Sequence, residues 1–408
     1  MNLLIVSQYF WPESFRINDL ARRVSGEGVN VTVLTGQPNY PEGKVFSGYS
    51  WWQTNSESHD GMDVLRVPLV PRGPGRAVRL IANYLSFVFG ASILGPFLMR
   101  RRPIDVIFVY GISPILQAVP AVFLKWLKGA KLVVWVQDLW PESLEATGFV
   151  KNRLALSLVG WVVKWIYNHA DSVFVQSEAF IEPVAQFCSR DKIVYYPNSA
   201  EDAVTSASSE PECPIPDLKQ CFSVVFAGAL GTAQALDVIL DAAERLKHDE
   251  SIRFFLVGHG SRSEWTRGQI EARHLTNIVM AGRYPVEAMP SVFASASALL
   301  VTLTDDPIFS KTVPSKVQSY LAAGRPILGC ISGEGARVIN AAQAGLTCNA
   351  MDVDGLVRSV ETLYRMSPDE REALGKNGRR YFENNFESHK LTTELIDKFR
   401  SIIDVASA

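Results

Sequence analysis

Apolar positions in this chain fall into short blocks separated by helical patterns. Leu3 to Ser7 is an apolar run, and in the following QYFWPESFRINDLARRVSGEG, Leu20 and Val24 recur at helical spacing while Gly26 and Gly28 punctuate the end. Residues 29–36, VNVTVLTG, then alternate as a strand, so the chain opens on a βαβ unit. Further strand-like runs are VLRVPLV (64–70), DVIFVYG (105–111), KLVVWVQD (131–138), SVFVQS (172–177) and KIVYYPN (192–198). Their alternation with helical patterns predicts a doubly wound parallel sheet.

From Ser199 the periodicity gives way to Ser, Ala, Glu and Pro, which marks a linker over 201–219. A second alternation follows: strands at 222–228, 253–258, 277–282, 298–303 and 326–330, with helices over Ala235 to Lys247 and Ser315 to Ala323. The pattern predicts two Rossmann-like parallel-sheet α/β domains, 1–200 and 220–385, with an intervening cleft. The amphipathic segment 386–408 is expected to pack back on the first domain.

The 408 residues are too many for one ordinary core and suit two. Forty basic against 42 acidic residues give a net charge of -2, which argues against a general nucleic-acid binder, so any anionic ligand must be held by local charge. Five scattered cysteines, never in a CxxC pair, suggest neither disulfides nor a zinc site. The start MNLLIVSQYF has no basic n-region and reads as a first strand, so a cytoplasmic location is expected.

The apolar stretch Leu80 to Met99 is long enough to cross a bilayer and is flanked by Arg76, Arg79, Arg100, Arg101 and Arg102. It also sits between two strands of one sheet, whose halves a spanning helix would separate. It is therefore expected to lie partly in a membrane interface or against the core, with its arginines toward anionic headgroups. The pattern 154–168, with Trp161, Lys164 and Trp165, either adds to that surface or packs in the core.

Ligands in open α/β sheets bind at the carboxyl ends of strands. In FAGALGTAQALD (226–237), Gly228 and Gly231 would let backbone N–H groups approach an anion, and a helix starting near Thr232 to Gln234 would offer its positive end; a ligand-free tight turn fits the same residues. In DDPIFSKTVPSKVQSYLAAGRPIL (305–328), Lys311 and Lys316 bracket Thr312, Val313 and Pro314, with Ser315 as the expected helix cap. Two ammonium groups there would stabilise a departing diphosphate. In VWVQDLWPES (134–143), Gln137, Asp138 and Glu142 follow a strand, and the N-terminal loop supplies Glu13, Arg16 and Asn18. These groups suit sugar hydroxyls, and one carboxylate could serve as general base. Asp352 and Asp354 read as helix-capping residues, and no metal site is assigned.

PESFRINDLA, TGQPNYPEG (35–43), VQDLWPES, FAGALGTAQALD, FFLVGHG (254–260), TNIVMAGRYP (276–285) and VPSKVQSYLAAGRPIL occur in this order over nearly the whole chain. In them the sequence resembles glycosyltransferase family 4, the retaining GT-B enzymes, and within it the bacterial O-antigen and capsule N-acetylhexosamine transferases of the N-acetylfucosamine-transferase type. The resemblance implies a UDP-sugar donor on the C-terminal domain, and an acceptor on the N-terminal domain that is a sugar carried on polyprenyl diphosphate. It also implies metal-independent transfer without a cofactor, by a peripheral protein on the inner face of the cytoplasmic membrane. By position, Gly228 to Gly231 and Thr312 to Lys316 would face the diphosphate, while Gly258, Gly260, Arg283 and Tyr284 would lie near the base.

Asp138 corresponds to the Asp of the family's His-Asp pair, with Gln137 where the His stands. An Arg and a Lys of broader family members are replaced by Ala229 and Gln234, so Lys311 and Lys316, with Arg16, are expected to substitute for those cations. Two family glutamates are replaced by Lys311 and Ser319. A nicotinamide-dependent epimerase or dehydrogenase is a rival, opposed by the missing G-x-G-x-x-G after the first strand. A non-catalytic subunit that binds a nucleotide sugar is the other.

Overall fold

The computed structural model describes residues 1–73, 77–146, 152–200 and 213–404. Two compact units form: Met1–Tyr196 together with the residues from His389, and Pro197–Ser388. The unit boundary thus falls at 196/197. Of the expected linker, residues 201–212 lie outside the described residues, as does Arg76, and Pro216–Lys219 forms a 3-10 turn with Leu218 buried in the second core.

The first unit holds an eight-stranded sheet: β1 (Asn2–Val6), β2 (Asn30–Gly36), β3 (Asn55–His59), β4 (Met62–Val67), β5 (Val106–Gly111), β6 (Lys131–Val136), β7 (Ser172–Val175) and β8 (Ile193–Tyr195). Their order is β3-β4-β2-β1-β5-β6-β7-β8, parallel except for the β3–β4 pair. The order reverses at β1 and β5, where Val6 is level with Leu34 and with Val109. Such a reversal opens a crevice at the carboxyl ends. One sheet face is covered by helix Arg16–Gly26, which buries Ile17, Leu20, Ala21 and Val24. The C-terminal helix Ser388–Asp404 covers the same face through Leu391, Leu395, Ile396 and Phe399. The other face is covered by Ala77–Leu98, Val119–Lys128 and Arg153–His169.

The second unit holds β9 (Phe222–Ala227), β10 (Ile252–Val257), β11 (Ile278–Gly282), β12 (Ala298–Thr302), β13 (Ile327–Cys330) and β14 (Gly345–Cys348). All pairs are parallel in the order β11-β10-β9-β12-β13-β14, reversing at β9 and β12. Near-continuous apolar strands such as FSVVFA fit a sheet buried on both faces.

Three expectations need correction. Ser315 is not the cap of its helix: Pro314 holds the N-cap position with ψ of 138°, and Ser315 is the exposed first helical residue. The helix of the second unit's first crossover starts at Leu236; Thr232–Gln234 form a separate 3-10 turn, broken from it by Ala235 at φ 44. β3 and β14 were absent from the predicted strands. Asp352 does cap helix Val353–Arg365, its side chain accepting from the Gly355 N–H.

Candidate functional site

Each unit presents its own cluster at the carboxyl edge of its sheet. In the first, Asp138 follows β6, and its Oδ2 accepts hydrogen bonds from the amide and the hydroxyl of Ser113, both at 2.9 Å. Trp140 Nε1 donates to the same hydroxyl at 3.2 Å. Ser113 stands just after β5, so the switch point itself fixes the direction of the carboxylate while committing only one oxygen. Glu142 opens helix Glu142–Ala146, and its Oε2 is buried without a hydrogen-bond partner among the described residues. Gln137 is buried and contributes its carbonyl to Gln176 Nε2 at 3.1 Å.

Three tyrosines sit within the electrostatic reach of Asp138. Burial pushes Tyr110 up to about 12, with Arg16 pulling it down and Asp138 adding to the rise. Burial likewise raises Tyr84, which feels Arg72 and Asp138, and Tyr167, which feels Glu142 and Asp138. Arg16 and Asp138 therefore share one neighbourhood.

Glu13 and Asn18 are turned inward. Glu13 Oε1 accepts the N–H groups of Asn39 and Tyr40 at 2.7 Å each, and burial pushes the carboxyl up to about 7. Asn18 Nδ2 donates to the Glu13 carbonyl at 2.7 Å, and its Oδ1 accepts from the Trp11 N–H. The expectation that both groups face a sugar is corrected: their polar atoms are spent on holding the loops after β1 and β2.

A buried network escaped the sequence reading. The Gln8 N–H donates to the Gln117 side-chain oxygen at 2.7 Å, and Gln8 Nε2 donates to Asn83 Oδ1 at 2.7 Å. Asn83 Nδ2 donates to the Val70 carbonyl at 2.6 Å. Arg72 lies over the rings of Tyr9 and Tyr40 at 5.8 and 5.2 Å. The signal was present: Asn83 is the one side-chain amide in a mostly apolar helical run.

In the second unit the edge is built from backbone. Gly228 and Gly258 adopt φ of 137° and 142°, which side-chain-bearing residues avoid. A Cβ on Gly258 would lie 1.8 Å from the Gly228 carbonyl oxygen, and one on Gly260 2.4 Å from that of Leu230. The loops are laced together: the Gly228 N–H donates to Val257 and the Gly258 N–H to Gly282. Gly228 is therefore no anion donor. Its missing Cβ instead makes room for Lys316, whose Cε would stand 2.6 Å away from it. Gly231 faces open space.

Lys316 Nζ reaches across this gap to Gln234 Oε1 at 2.5 Å and lies 3.6 Å from the centre of the Phe226 ring. It makes no ion pair among the described residues, and desolvation pulls its ammonium down to about 7. An ammonium has three donors, so two remain after Gln234. Gln234 in turn is held by its carbonyl, which accepts from Thr302 Oγ1 at 2.5 Å, while Thr304 N–H donates to the Ala233 carbonyl.

The structure thus joins Gly228, Gly258, Gly260, Gln234 and Lys316. Lys311 ends helix Pro307–Lys311, Thr312 caps it, Val313 is buried in the core, and Ser319 lies one turn along the next helix. No contact ties Lys311 to Lys316 among the described residues. Arg283 is exposed after β11 and Tyr284 packs partly on the core. Glu334, overlooked in the sequence, is buried at the start of the helix after β13 and paired through both oxygens with Arg337 at 2.9 Å. Ser310, in helix Pro307–Lys311, packs its backbone against Gly333. A hollow of about 850 Å³ lined by Lys219, Arg325, Arg371 and Arg379 opens at the opposite, amino edge of the sheet; Arg325, Arg371 and Arg379 donate to main-chain carbonyls there.

Residues 14–199 match the family model of the glycosyl transferase 4-like domain, and residues 221–366 that of glycosyl transferases group 1. The chain is 25% identical to the putative colanic acid biosynthesis glycosyl transferase WcaI of Escherichia coli K12, over 79% of this chain and 82% of that one. Among solved structures, sucrose-phosphate synthase of Thermosynechococcus elongatus superposes with a TM-score of 0.72 at 14% identity, covering 99% of each chain. Anabaena HepE in complex with UDP superposes at 0.70 and 12% identity, covering 98% of this chain and 100% of that one.

Proposed function

We propose, from the premise that this chain is a glycosyltransferase of the GT-B fold, that it moves an N-acetylated deoxyhexose from UDP to a polyprenyl-diphosphate-linked acceptor, for bacterial surface polysaccharide. The work is done at the inner face of the cytoplasmic membrane. The observation that carries the donor half is Lys316: a desolvated cation without a carboxylate partner among the described residues, at the switch point of the second sheet. Leaving such a charge unpaired is costly, and a diphosphate supplies the missing partner. HepE, which shares the fold, is seen with UDP.

In this reading the bond from the sugar's anomeric carbon to the UDP oxygen breaks while one to the acceptor hydroxyl forms. The Lys316 ammonium takes the place of a metal ion in stabilising the departing diphosphate. Asp138, aimed by Ser113, receives the acceptor proton, and Glu142 offers a second carboxylate beside it. Arg16 and Arg72 supply cations for an acceptor that carries its own diphosphate. Transfer retains anomeric configuration.

The test is a thermal-shift comparison of UDP, GDP, dTDP, NAD and UDP-N-acetylhexosamines, since a ligand of the native state raises its melting temperature. UDP compounds are expected to raise it selectively. Lys316→Ala should weaken that rise, and in the natural protein the rise should shrink as pH climbs above 7 and the ammonium loses its proton. A response to NAD alone would replace this reading by the dehydrogenase one.

A further inference from the structure

Helix Ala77–Leu98 has two faces with different surroundings. Asn83, Phe87 and Ala91, four residues apart, are buried, and Gly90 and Gly95 seat the helix on the Pro68 carbonyl and on Leu34 and Leu124. On the other side Ile81, Leu85, Phe89, Ile93 and Phe97 form a ridge, again four residues apart, with exposures from 42% for Leu85 to 73% for Phe97. Its neighbours continue the surface. Phe123, Trp126 and Leu127 are exposed on Val119–Lys128, as are Leu154, Leu158 and Trp161 on Arg153–His169. Trp165 bridges these two helices, its ring centre 6.1 Å from Phe123 and 6.4 Å from Trp126. Twelve of the eighteen large apolar side chains exposed among the described residues lie on these three adjacent helices, Val78 included. A patch of this extent is an interaction site on a soluble monomer.

Charge selects the occupant. The three helices contain no Asp or Glu at all, and their exposed charges are Arg79, Arg153 and Lys164, with Arg100 and Arg101 just past the first. A second copy of the chain would set cation against cation. Anionic lipid headgroups meet the cations while acyl chains meet the apolar ridge. The helix is long and apolar enough to cross a membrane, yet Asn83 ties its inner face to Gln8 and Val70 under the sheet edge, so it lies along the surface.

We infer that these three helices form one monotopic docking face for an anionic bilayer. Its position gives the contact a purpose, which rests on the acceptor reading above. Tyr84, on the same helix, lies within the electrostatic reach of Asp138 and Arg72, so one helix serves both the docking face and the acceptor edge.

The experiment is sedimentation of the full chain with vesicles of phosphatidylcholine alone or with ~30% phosphatidylglycerol. Binding to the anionic vesicles is expected, cut about a hundredfold or more by F89S with F97S, since two ring burials are lost. R100E with R101E should erase the preference for phosphatidylglycerol. The UDP-induced thermal shift is measured on every variant and should persist, which shows the fold intact. Natural protein that leaves both vesicle types unbound overturns the inference; if light scattering then shows a dimer that F89S with F97S dissociates, the face belongs to a second copy. Vesicle binding without any UDP response would keep the docking face and remove the donor reading.

Discussion

At the carboxyl edge of the first sheet, side chains from distant parts of the chain hydrogen-bond one another in a buried network. At the same edge of the second, glycine backbones close on each other around one lysine. Gln8, Glu13, Asn39, Asn83 and Gln117 are held through their side chains, so exchanging any one leaves a buried partner without its hydrogen bond. The packing of Gly258 on Gly228 cannot be altered without moving two strands' ends. Under the proposed function, the first edge holds the acceptor through side chains, and the second holds the donor diphosphate through backbone and one lysine.

The comparison breaks most readily at Asp138. Asp138→Asn is expected to lower kcat about 10²–10⁴-fold through loss of the base, with the UDP-induced thermal shift unchanged because Asp138 belongs to the first unit. Full turnover in this variant would strip the first edge of its chemical role. Next is Gly258→Ala, where the 1.8 Å approach to the Gly228 carbonyl forces the backbone to move. A loss on the order of 2–4 kcal/mol should appear as a melting temperature roughly 5–10 °C lower. Gly231→Ala, with nothing within 4 Å, should stay within about 0.5 kcal/mol of the natural protein. Equal behaviour of the two variants would refute the idea of a backbone-built edge.

A pH-dependent effect concerns Glu13, whose carboxyl holds its proton up to about pH 7 when folded and releases it in the ordinary carboxylate range when unfolded. Between those two values the folded state binds more protons, so stability is full below the lower one and falls as pH rises toward 7, by at most about 1.4 kcal/mol per pH unit. Urea titrations across this window should show the slope, and Glu13→Gln should flatten it. A slope unchanged by the substitution would assign it to another group.

Strands buried on both sides, such as LLIV and FSVVFA, announced themselves as apolar runs, and glycine loops after them were visible because nothing else tolerates their φ. β3 was not legible. Its NSESH carries no apolar pattern and stands as an antiparallel edge, helped by Glu57 accepting from the buried Arg66 at 2.5 Å. β14 is a short edge strand whose residues are all half-buried. In the candidate site, residue type indicated polarity but not direction. Glu13 and Asn18 look outward-facing in a list of polar residues, and only the amides of Asn39 and Tyr40, far along the chain, turn Glu13 inward. The reach of Lys316 to Gln234 spans 82 positions, a pairing that no local pattern encodes.

The return of the C-terminal helix to the first sheet bears on the order in which the protein is made. Phe399 packs edge-on against Phe108 and stacks with Phe174, and the Leu391 carbonyl accepts the buried Tyr196 hydroxyl. On the ribosome the second unit emerges as one continuous stretch and can fold as soon as it is clear of the exit tunnel. The first unit, begun earlier, must wait with an uncovered patch of aromatic surface until the last helix is released. Its nascent form is therefore the one that keeps apolar surface uncovered for longer, although it is the first to be synthesised.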